Sequence, residues 1–250
     1  MQPTKSLDGK TALITGGAAR IGAATARLLH AAGASIAIHY RSSATAAEAL
    51  RDELTQQRAG SATVVQGDLL DDASWPRLID AAEALDGSLD ILINNASSYY
   101  PTPVGTATPA QWDDLFGSNA RAPFFLAQAA SPALRKRQGC IVNLVDIYAE
   151  RPNPDHPVYC MAKAANAMMV KALAHDLAPD IRVNGVAPGA ALWPEGYQAD
   201  SERQEILRRI PMGRPAGAEQ IAEAVMFMVA GPDYITGQII AVDGGRSTQQ

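Results

Sequence analysis

The sequence predicts a single α/β domain in which a doubly wound, parallel sheet of about seven strands carries helices on both faces. Short β-rich runs alternate with longer stretches of helical spacing along most of the chain. Several of the β-rich runs are almost continuously apolar, which is typical of parallel strands covered on both faces. No linker rich in proline or glycine and no repeat divides the 250 residues, so we expect one domain over residues 1–250.

Each predicted element follows from this alternation. The strands are predicted at Thr11–Thr15, Ser35–Tyr40, Ala62–Gln66, Leu89–Asn94, Cys140–Val145, Ile181–Ala187 and Gln238–Val242. The helices with the clearest spacing are predicted at Ala23–Ala32, Thr45–Arg58, Ser74–Leu85 and Val158–Leu177. Ligands of such sheets bind beyond the carboxyl ends of the strands, so the long loops Ala96–Thr108 and Gly189–Ser201 are candidate substrate loops.

The composition excludes several classes of protein. With 47% hydrophobic residues the chain can bury a core, and with 21 basic against 26 acidic residues it has a net charge of −5. This acidity predicts neither a nucleic-acid partner nor a membrane-surface partner, since both usually require a basic face. The polar first ten residues carry no signal peptide and no apolar run reaches the ~20 residues of a membrane span, so we expect a cytoplasmic protein.

The histidines and cysteines predict no metal site. His30, His39, His156 and His175 form no paired-ligand pattern, and the two cysteines lack the spacing of a zinc site. The cysteines are Cys140 and Cys160, for which reduced thiols are the simpler prediction, while one disulfide between them stays open.

A glycine-rich turn, Thr15–Gly22, separates the first predicted strand from the first helix. Glycines at this place let the backbone approach a pyrophosphate, which the helix N-terminus favours through its free N–H groups and dipole. The second strand ends at His39, Tyr40, Arg41 and Ser42, where a carboxylate would indicate NAD. Because Arg41 and Ser42 offer donors and positive charge, with Arg20 adding a second guanidinium, we expect NADP(H) as the cofactor.

Tyr159 and Lys163 are candidate catalytic residues because they lie four residues apart on one face of a predicted helix. A tyrosine with its ordinary pKa near 10 is a poor acid–base catalyst at neutral pH, and a nearby ammonium would lower that pKa. The spacing alone is common and has little weight without other motifs.

Those other motifs are present in order. The glycine-rich turn, NNAS at Asn94–Ser97, Asn119, the Tyr159 and Lys163 pair, APG at Ala187–Gly189 and VDGG at Val242–Gly245 make the whole chain resemble the short-chain dehydrogenases/reductases. The resemblance implies that Tyr159 protonates the substrate, that Lys163 lowers the Tyr159 pKa and holds the nicotinamide ribose, and that Asn119 supports a proton-relay water. It implies a homotetramer and a cofactor site formed by Gly16, Arg20, Ile21, His39, Tyr40, Arg41, Ser42, Asp68, Leu69, Asn95, Ala96, Ser97, Tyr159, Lys163, Pro188 and Gly189.

Two departures from that family narrow the prediction. Arg20 stands where most members have glycine, and Asp146 stands thirteen residues before the tyrosine, where most have serine. Both departures are similar to the pteridine reductases, as are the segments Asn94–Pro103, His39–Ser43 and Phe116–Pro123. This resemblance implies a substrate site formed by Arg20, Ser97, Tyr99, Asp146, Tyr159 and Trp193, with Ser97 hydrogen-bonded to a pterin and Tyr99 stacked on it.

We therefore expect an NADPH-dependent reductase of dihydropterins or dihydrofolate, in which Asp146 and Tyr159 bring a proton to a ring nitrogen. One alternative is a ketone reductase of the same family, acting on a 3-oxoacyl thioester or a sugar; it would predict serine at position 146. A second alternative is a non-catalytic sensor that binds NADP(H). The presence of all three candidate catalytic residues, Tyr159, Lys163 and Asn119, argues against it.

Overall fold

The computed structural model describes residues 6–189 and 200–248, which form one sheet with the strand order β3-β2-β1-β4-β5-β6-β7. All six strand pairings are parallel. The strands are β1 Thr11–Ile14, β2 Ser35–Tyr40, β3 Ala62–Gln66, β4 Ile91–Asn94, β5 Cys140–Leu144, β6 Arg182–Pro188 and β7 Ile239–Val242. The strand order reverses beside β1, so the predicted doubly wound sheet is confirmed.

Helices cover both faces of this sheet. They are α1 Arg20–Ala31, α2 Ala44–Gln57, α3 Ser74–Asp86, α4 Pro109–Phe116, α5 Ala122–Lys136, α6 Pro157–Leu177, α7 Asp200–Arg208 and α8 Ala218–Ala230. Side chains of α1, α2 and α8 form one core, and side chains of α3, α5 and α6 contribute to the other. Within β1, Ala12 and Ile14 belong to the first core and Leu13 to the second, which explains its continuous apolar sequence.

Two element boundaries and one additional segment differ from the prediction near the site. Helix α1 begins at Arg20 rather than Ala23, so its first turn lies within the glycine-rich segment. Strand β4 begins at Ile91, two residues later than predicted; Asp90 before it is only 1% exposed and accepts hydrogen bonds from Lys10, Arg137 and the backbone of Thr11. A five-residue π-helical segment, Gly117–Arg121, joins α4 to α5, and the sequence patterns did not predict it.

The two cysteines are free thiols. Cys140 in β5 and Cys160 in α6 are both buried, so the disulfide that the sequence left open is not formed. Burial raises the pKa of the Cys140 thiol to about 11, which keeps it protonated and unreactive. Across the described ranges, no helix is long and apolar enough to cross a membrane.

Candidate active site

A cavity of about 1380 Å³ opens at the carboxyl ends of the strands and is bounded by the loops that follow β1, β2, β3, β4, β5 and β6. This volume exceeds the ~300–1,000 Å³ of a site for one small ligand and leaves room for a dinucleotide beside a substrate. Every site residue that the sequence predicts lines the cavity, with two exceptions. Asn119 lies behind the wall, and Trp193 lies outside the described residues.

The glycine-rich turn brings the N-terminus of α1 to the cavity. Gly16 has φ +59°, a left-handed conformation that glycine adopts easily. A Cβ on Gly22 would overlap the Gly16 carbonyl and approach the Asn95 amide nitrogen to 2.8 Å, so glycine is required for α1 to pack on the turn. No side chain caps α1, and its first turn lines the cavity, so backbone N–H groups there are available to an anion.

His39 lies beneath this turn and is held entirely by backbone groups. Its Nδ1 accepts a hydrogen bond from Gly16 N–H at 3.1 Å, and its Nε2 lies 3.0 Å from the Gly67 carbonyl, to which it donates. Burial lowers the pKa of His39, which keeps the ring neutral. His39 therefore supports the shape of the turn, and the positive charge at this end of the cavity comes from other residues.

Two guanidinium groups supply that charge. Arg20 and Arg41 are exposed at the cavity edge, and neither has a side-chain partner among the described residues. Arg20 has φ +52°, the left-handed region that disfavours non-glycine residues by roughly 1–2 kcal/mol. The backbone of Arg20 is therefore strained, and strain of this kind is often found at binding sites.

Asp146 and Tyr159 are in direct hydrogen-bonding contact in the cavity. Asp146 leaves β5 and caps a short 3₁₀ turn by accepting from Tyr148 N–H at 2.9 Å. The Tyr159 hydroxyl, presented by the first turn of α6, donates to the other Asp146 carboxylate oxygen at 2.8 Å. A carboxyl group and a phenol in direct contact can exchange a proton without an intervening water.

Burial shifts the pKa of both groups upward. Desolvation raises the pKa of Asp146, although the Tyr148 N–H and the Lys163 charge oppose the change. Desolvation and the neighbouring carboxylate of Asp146 hold the pKa of Tyr159 well above its usual value. Burial is the largest cause of the raised Tyr159 pKa and the contact with Asp146 the next, and the lowering of that pKa by Lys163 stays a prediction.

Lys163 is itself buried behind these residues. Its Nζ donates to the Leu144 carbonyl at 2.8 Å and lies 5.7 Å from the centre of the Tyr159 ring. Burial lowers the pKa of Lys163 to about 8, against the attraction of Asp146. The ammonium is thus poised to lose its charge within the range in which enzymes are assayed.

Asn119 contacts residues of the cavity wall, chiefly Ser97 and Ser98. Its side-chain oxygen accepts from the Ser97 hydroxyl at 2.7 Å, and Ser97 in turn hydrogen-bonds to Tyr159. The Asn119 backbone carbonyl accepts from the Asn166 side chain at 2.7 Å. Both oxygens of Asn119 thus have protein partners.

Tyr99 forms an aromatic wall opposite these groups. Its ring stacks on His156 with centroids 4.6 Å apart and meets the Tyr159 ring edge-on at 4.8 Å. The Tyr99 hydroxyl accepts from the Asn153 side chain at 3.1 Å. The stack leaves Tyr99 48% exposed, so one side of an aromatic surface stays available to a flat ligand.

Several cavity residues were missed by the sequence analysis, chiefly Tyr148, His156 and Arg246. Tyr148 follows Asp146 by two residues and His156 precedes Tyr159 by three, so their nearness to the catalytic pair was an available signal. Arg246 comes from the last described turn, and its guanidinium lies 5.3 Å from the centre of the Tyr148 ring. Only the fold could place that residue in the cavity.

Comparison with known proteins shows relatives over nearly the whole chain. A family model described as enoyl-(acyl carrier protein) reductase matches residues 16–247. Pteridine reductase 1 of Leishmania tarentolae is 36% identical, with 98% of each chain covered. L-xylulose reductase of Bos taurus is 33% identical over 96% of this chain and 97% of its own. A 3-oxoacyl-acyl-carrier-protein reductase of Staphylococcus aureus is 32% identical over 94% and 97%.

Proposed function

Because the chain belongs to the short-chain dehydrogenase/reductase family of oxidoreductases, we propose that it is an NADPH-dependent reductase of pterins, acting on dihydropterins or dihydrofolate. The observation that carries this proposal is the direct contact between Asp146 and Tyr159, 2.8 Å apart in a buried site. The named activity of the Leishmania relative, at 36% identity over nearly the full chain, supports the same substrate class.

A phosphorylated dinucleotide fits the residues at the other end of the cavity. The uncapped first turn of α1 offers N–H groups to a pyrophosphate, and Arg41, Ser42 and Arg20 offer positive charge and donors to a 2′-phosphate. Lys163 and the loop at Pro188 and Gly189 would hold the nicotinamide side. The nicotinamide, when bound, supplies the hydride.

The proton is the task of this chain's own residues. Reduction of a ring C=N bond places a hydride on carbon and leaves a nitrogen that must gain a proton. Burial raises the pKa of Asp146 and so favours its protonated form, and its contact with Tyr159 permits delivery of a proton through the phenol. Ser97 would orient the ring by a hydrogen bond, and Tyr99 would stack on it.

A ketone reductase is the second candidate, and the oxoacyl and xylulose reductases at 32–33% identity favour it. For a ketone, Tyr159 alone suffices as the donor, and a buried carboxylate beside it has no evident task. A sensor that binds the cofactor without turnover is the weakest alternative. From the family resemblance we further propose a cytoplasmic homotetramer.

Steady-state oxidation of NADPH tests the proposal directly. The panel contains dihydrobiopterin, dihydromonapterin, dihydrofolate, biopterin, an oxoacyl thioester and a sugar ketone. We expect the highest kcat/KM for a dihydropterin or dihydrofolate. Turnover of ketones alone would overturn the proposal, and no turnover of any substrate would favour the sensor.

A further inference from the structure

A second cavity of about 520 Å³ adjoins the active-site cavity on the side of its aromatic wall. The two cavities meet at Tyr148, Asn153 and Arg246, which line both of them. Asn153 also donates to the Tyr99 hydroxyl at 3.1 Å, which connects this border to the aromatic wall. A substituent on a ring that stacks on Tyr99 therefore has the second cavity beside it.

The lining of this second cavity is positively charged. Three arginines contribute to it, Arg151, Arg209 and Arg246, and among the described residues no aspartate or glutamate does. They come from three distant parts of the chain: the turn after β5, the residue that follows α7 and the turn after β7. Three guanidinium groups in one small space are not expected from the composition of a chain with a net charge of −5. We call this space the arginine pocket.

Neighbouring carboxylates do not cancel the charge of the arginine pocket. Glu205 accepts from Arg209 Nη2 at 2.9 Å and also lies 3.7 Å from Arg208, so one negative charge is shared between two guanidinium groups. The Arg246 charge also acts on Asp146, but within the described ranges no carboxylate lies at salt-bridge distance from Arg246. The pocket therefore keeps a surplus of positive charge.

Arg246 is held in the pocket by its own turn rather than by an ion pair. The Asp243 carboxylate accepts from the N–H groups of Gly245 at 2.9 Å and Ser247 at 2.7 Å, which fixes the backbone on both sides of Arg246. The guanidinium lies 5.3 Å from the centre of the Tyr148 ring. A guanidinium carries several N–H donors, so its interaction with Tyr148 leaves donors for an anion.

We propose that the arginine pocket binds an anionic tail carried by the substrate ring, either a phosphate or glutamyl carboxylates. The planar fork of a guanidinium matches both anions, because paired N–H donors face paired oxygens. The cofactor phosphates do not require this pocket, since Arg20 and Arg41 line only the larger cavity. The inference rests on the proposed function in taking a pterin or folate ring as the reacting end of the substrate.

Two pairs of substrates, each with one ring and two forms of the tail, test the pocket. Dihydroneopterin is compared with its 3′-phosphate, and dihydrofolate with its diamide, in which both glutamyl carboxylates are neutral. We measure kcat/KM with NADPH for the wild type, Arg246→Met and a control, Arg135→Met. Arg135 is paired with Asp180 at 3.0 Å and lines neither cavity. The ratio within a pair cancels any effect of a substitution on proton delivery.

We expect the wild type to prefer the charged member of a pair by about tenfold, the value of one charge-assisted hydrogen bond. The pair that shows the preference identifies the tail as a phosphate or a carboxylate. Arg246→Met should remove most of the preference, chiefly through KM, and added salt should weaken it. Arg135→Met should keep it. Arg151→Met takes the place of Arg246→Met if that variant does not fold.

The outcome separates this inference from the proposed function. If the wild type reduces pterins without preference in either pair, or if the arginine variant keeps the preference, the inference is overturned and the function stands. If the wild type reduces none of these substrates, the tails alone, glycerol 3-phosphate and 4-aminobenzoylglutamate, are titrated by ligand-observed NMR. Binding that Arg246→Met weakens and Arg135→Met does not supports the pocket without the function. Absent binding, or binding that Arg246→Met leaves unchanged, overturns the pocket as well.

Discussion

At the scale of single residues, burial has moved the pKa of the catalytic groups away from their ordinary values. Asp146 and Tyr159 are both shifted toward their protonated forms, and Lys163 toward its neutral form. The sequence correctly predicted that these residues share one cavity, because their spacing is tied to β5 and α6. It could not predict that the Tyr159 hydroxyl donates to Asp146, because that bond depends on a contact between two elements.

The lowered pKa of Lys163 predicts the pH above which activity falls, which is the basic limb of the pH profile. Its pKa of about 8 lies below the ordinary value of 10.5, so the ammonium is present below pH 8 and is lost as the pH rises through that value. We expect kcat/KM to fall above about pH 8 in the wild type. Lys163→Arg, which stays charged, should shift that limb to higher pH. Lys171→Arg on the exposed side of α6 is the control, and an unshifted limb in Lys163→Arg would assign it to another group.

The position of Arg41 at the cavity edge predicts a preference for NADPH over NADH. Its guanidinium is exposed, so solvent screening limits its contribution to about 1 kcal/mol, or about fivefold in kcat/KM. We expect Arg41→Ala to lose about fivefold with NADPH and to keep its activity with NADH. Arg51→Ala, which removes a half-buried arginine paired with Asp52 on α2, should change neither. Equal use of both cofactors by the wild type would contradict the assignment.

At the scale of elements, the site depends on how α1, α6 and the segment between α4 and α5 begin. The start of α6 could be read from Pro157 and the tyrosine that follows, and the structure has it one residue from the predicted boundary. The start of α1 within the glycine-rich segment was missed, because Arg20 takes a left-handed conformation normally left to glycine. The π-helical segment has no periodic signal, so only Pro123 hinted at it.

Gly22 tests whether the packing of α1 on its turn creates the cofactor site. Gly22→Ala would force α1 away from Gly16 and Asn95, which should weaken NADPH binding by more than tenfold. Ala24→Gly, elsewhere on the same helix, costs roughly 1 kcal/mol in helix propensity and is the control for stability. Fluorescence titration of NADPH measures binding, and unfolding in urea measures stability. Equal NADPH affinity in the two variants would show that the packing of α1 on the turn does not contribute to cofactor binding.

At the scale of the whole molecule, the sheet positions six loops around one cavity while its two cores supply the stability. The strand and helix alternation predicted this architecture because continuous apolar runs have few other uses in a chain of this length. Residues from distant parts of the chain, such as Arg246 beside Tyr148, could not be predicted, since no local pattern reports a contact across the molecule.

Asp146 links the stability of the whole fold to its proposed function. Because its pKa is raised on folding, its contribution is greatest at low pH and is lost as the pH rises through the folded value. Asp146→Asn mimics the protonated form and keeps the cap on Tyr148 N–H. A stabilisation of about 1 kcal/mol shifts Tm by about 2–4 °C in a domain of this size. We therefore expect the Tm of Asp146→Asn to exceed that of the wild type by about 2–4 °C at pH 8.

That gain should vanish at pH values well below 3.8, the ordinary pKa of aspartate, where Asp146 is protonated in both states. Calorimetry between pH 8 and this acidic range measures the difference in Tm. The control is Asp155→Asn, which changes an exposed aspartate that lines the same cavity. A variant less stable than the wild type at pH 8 would show that the buried carboxylate stabilises the fold.

The central claim is that Asp146 carries a proton for reduction of a ring C=N bond. Its most direct test is kcat of the wild type, Asp146→Asn and Asp146→Ser on a dihydropterin and on an activated ketone, with NADPH affinity checked by fluorescence. We expect both variants to lose ~10²–10⁴ in kcat on the dihydropterin, the usual contribution of a general acid, while Asp146→Ser keeps or improves its turnover of the ketone. Dihydropterin turnover that survives both substitutions would contradict the account.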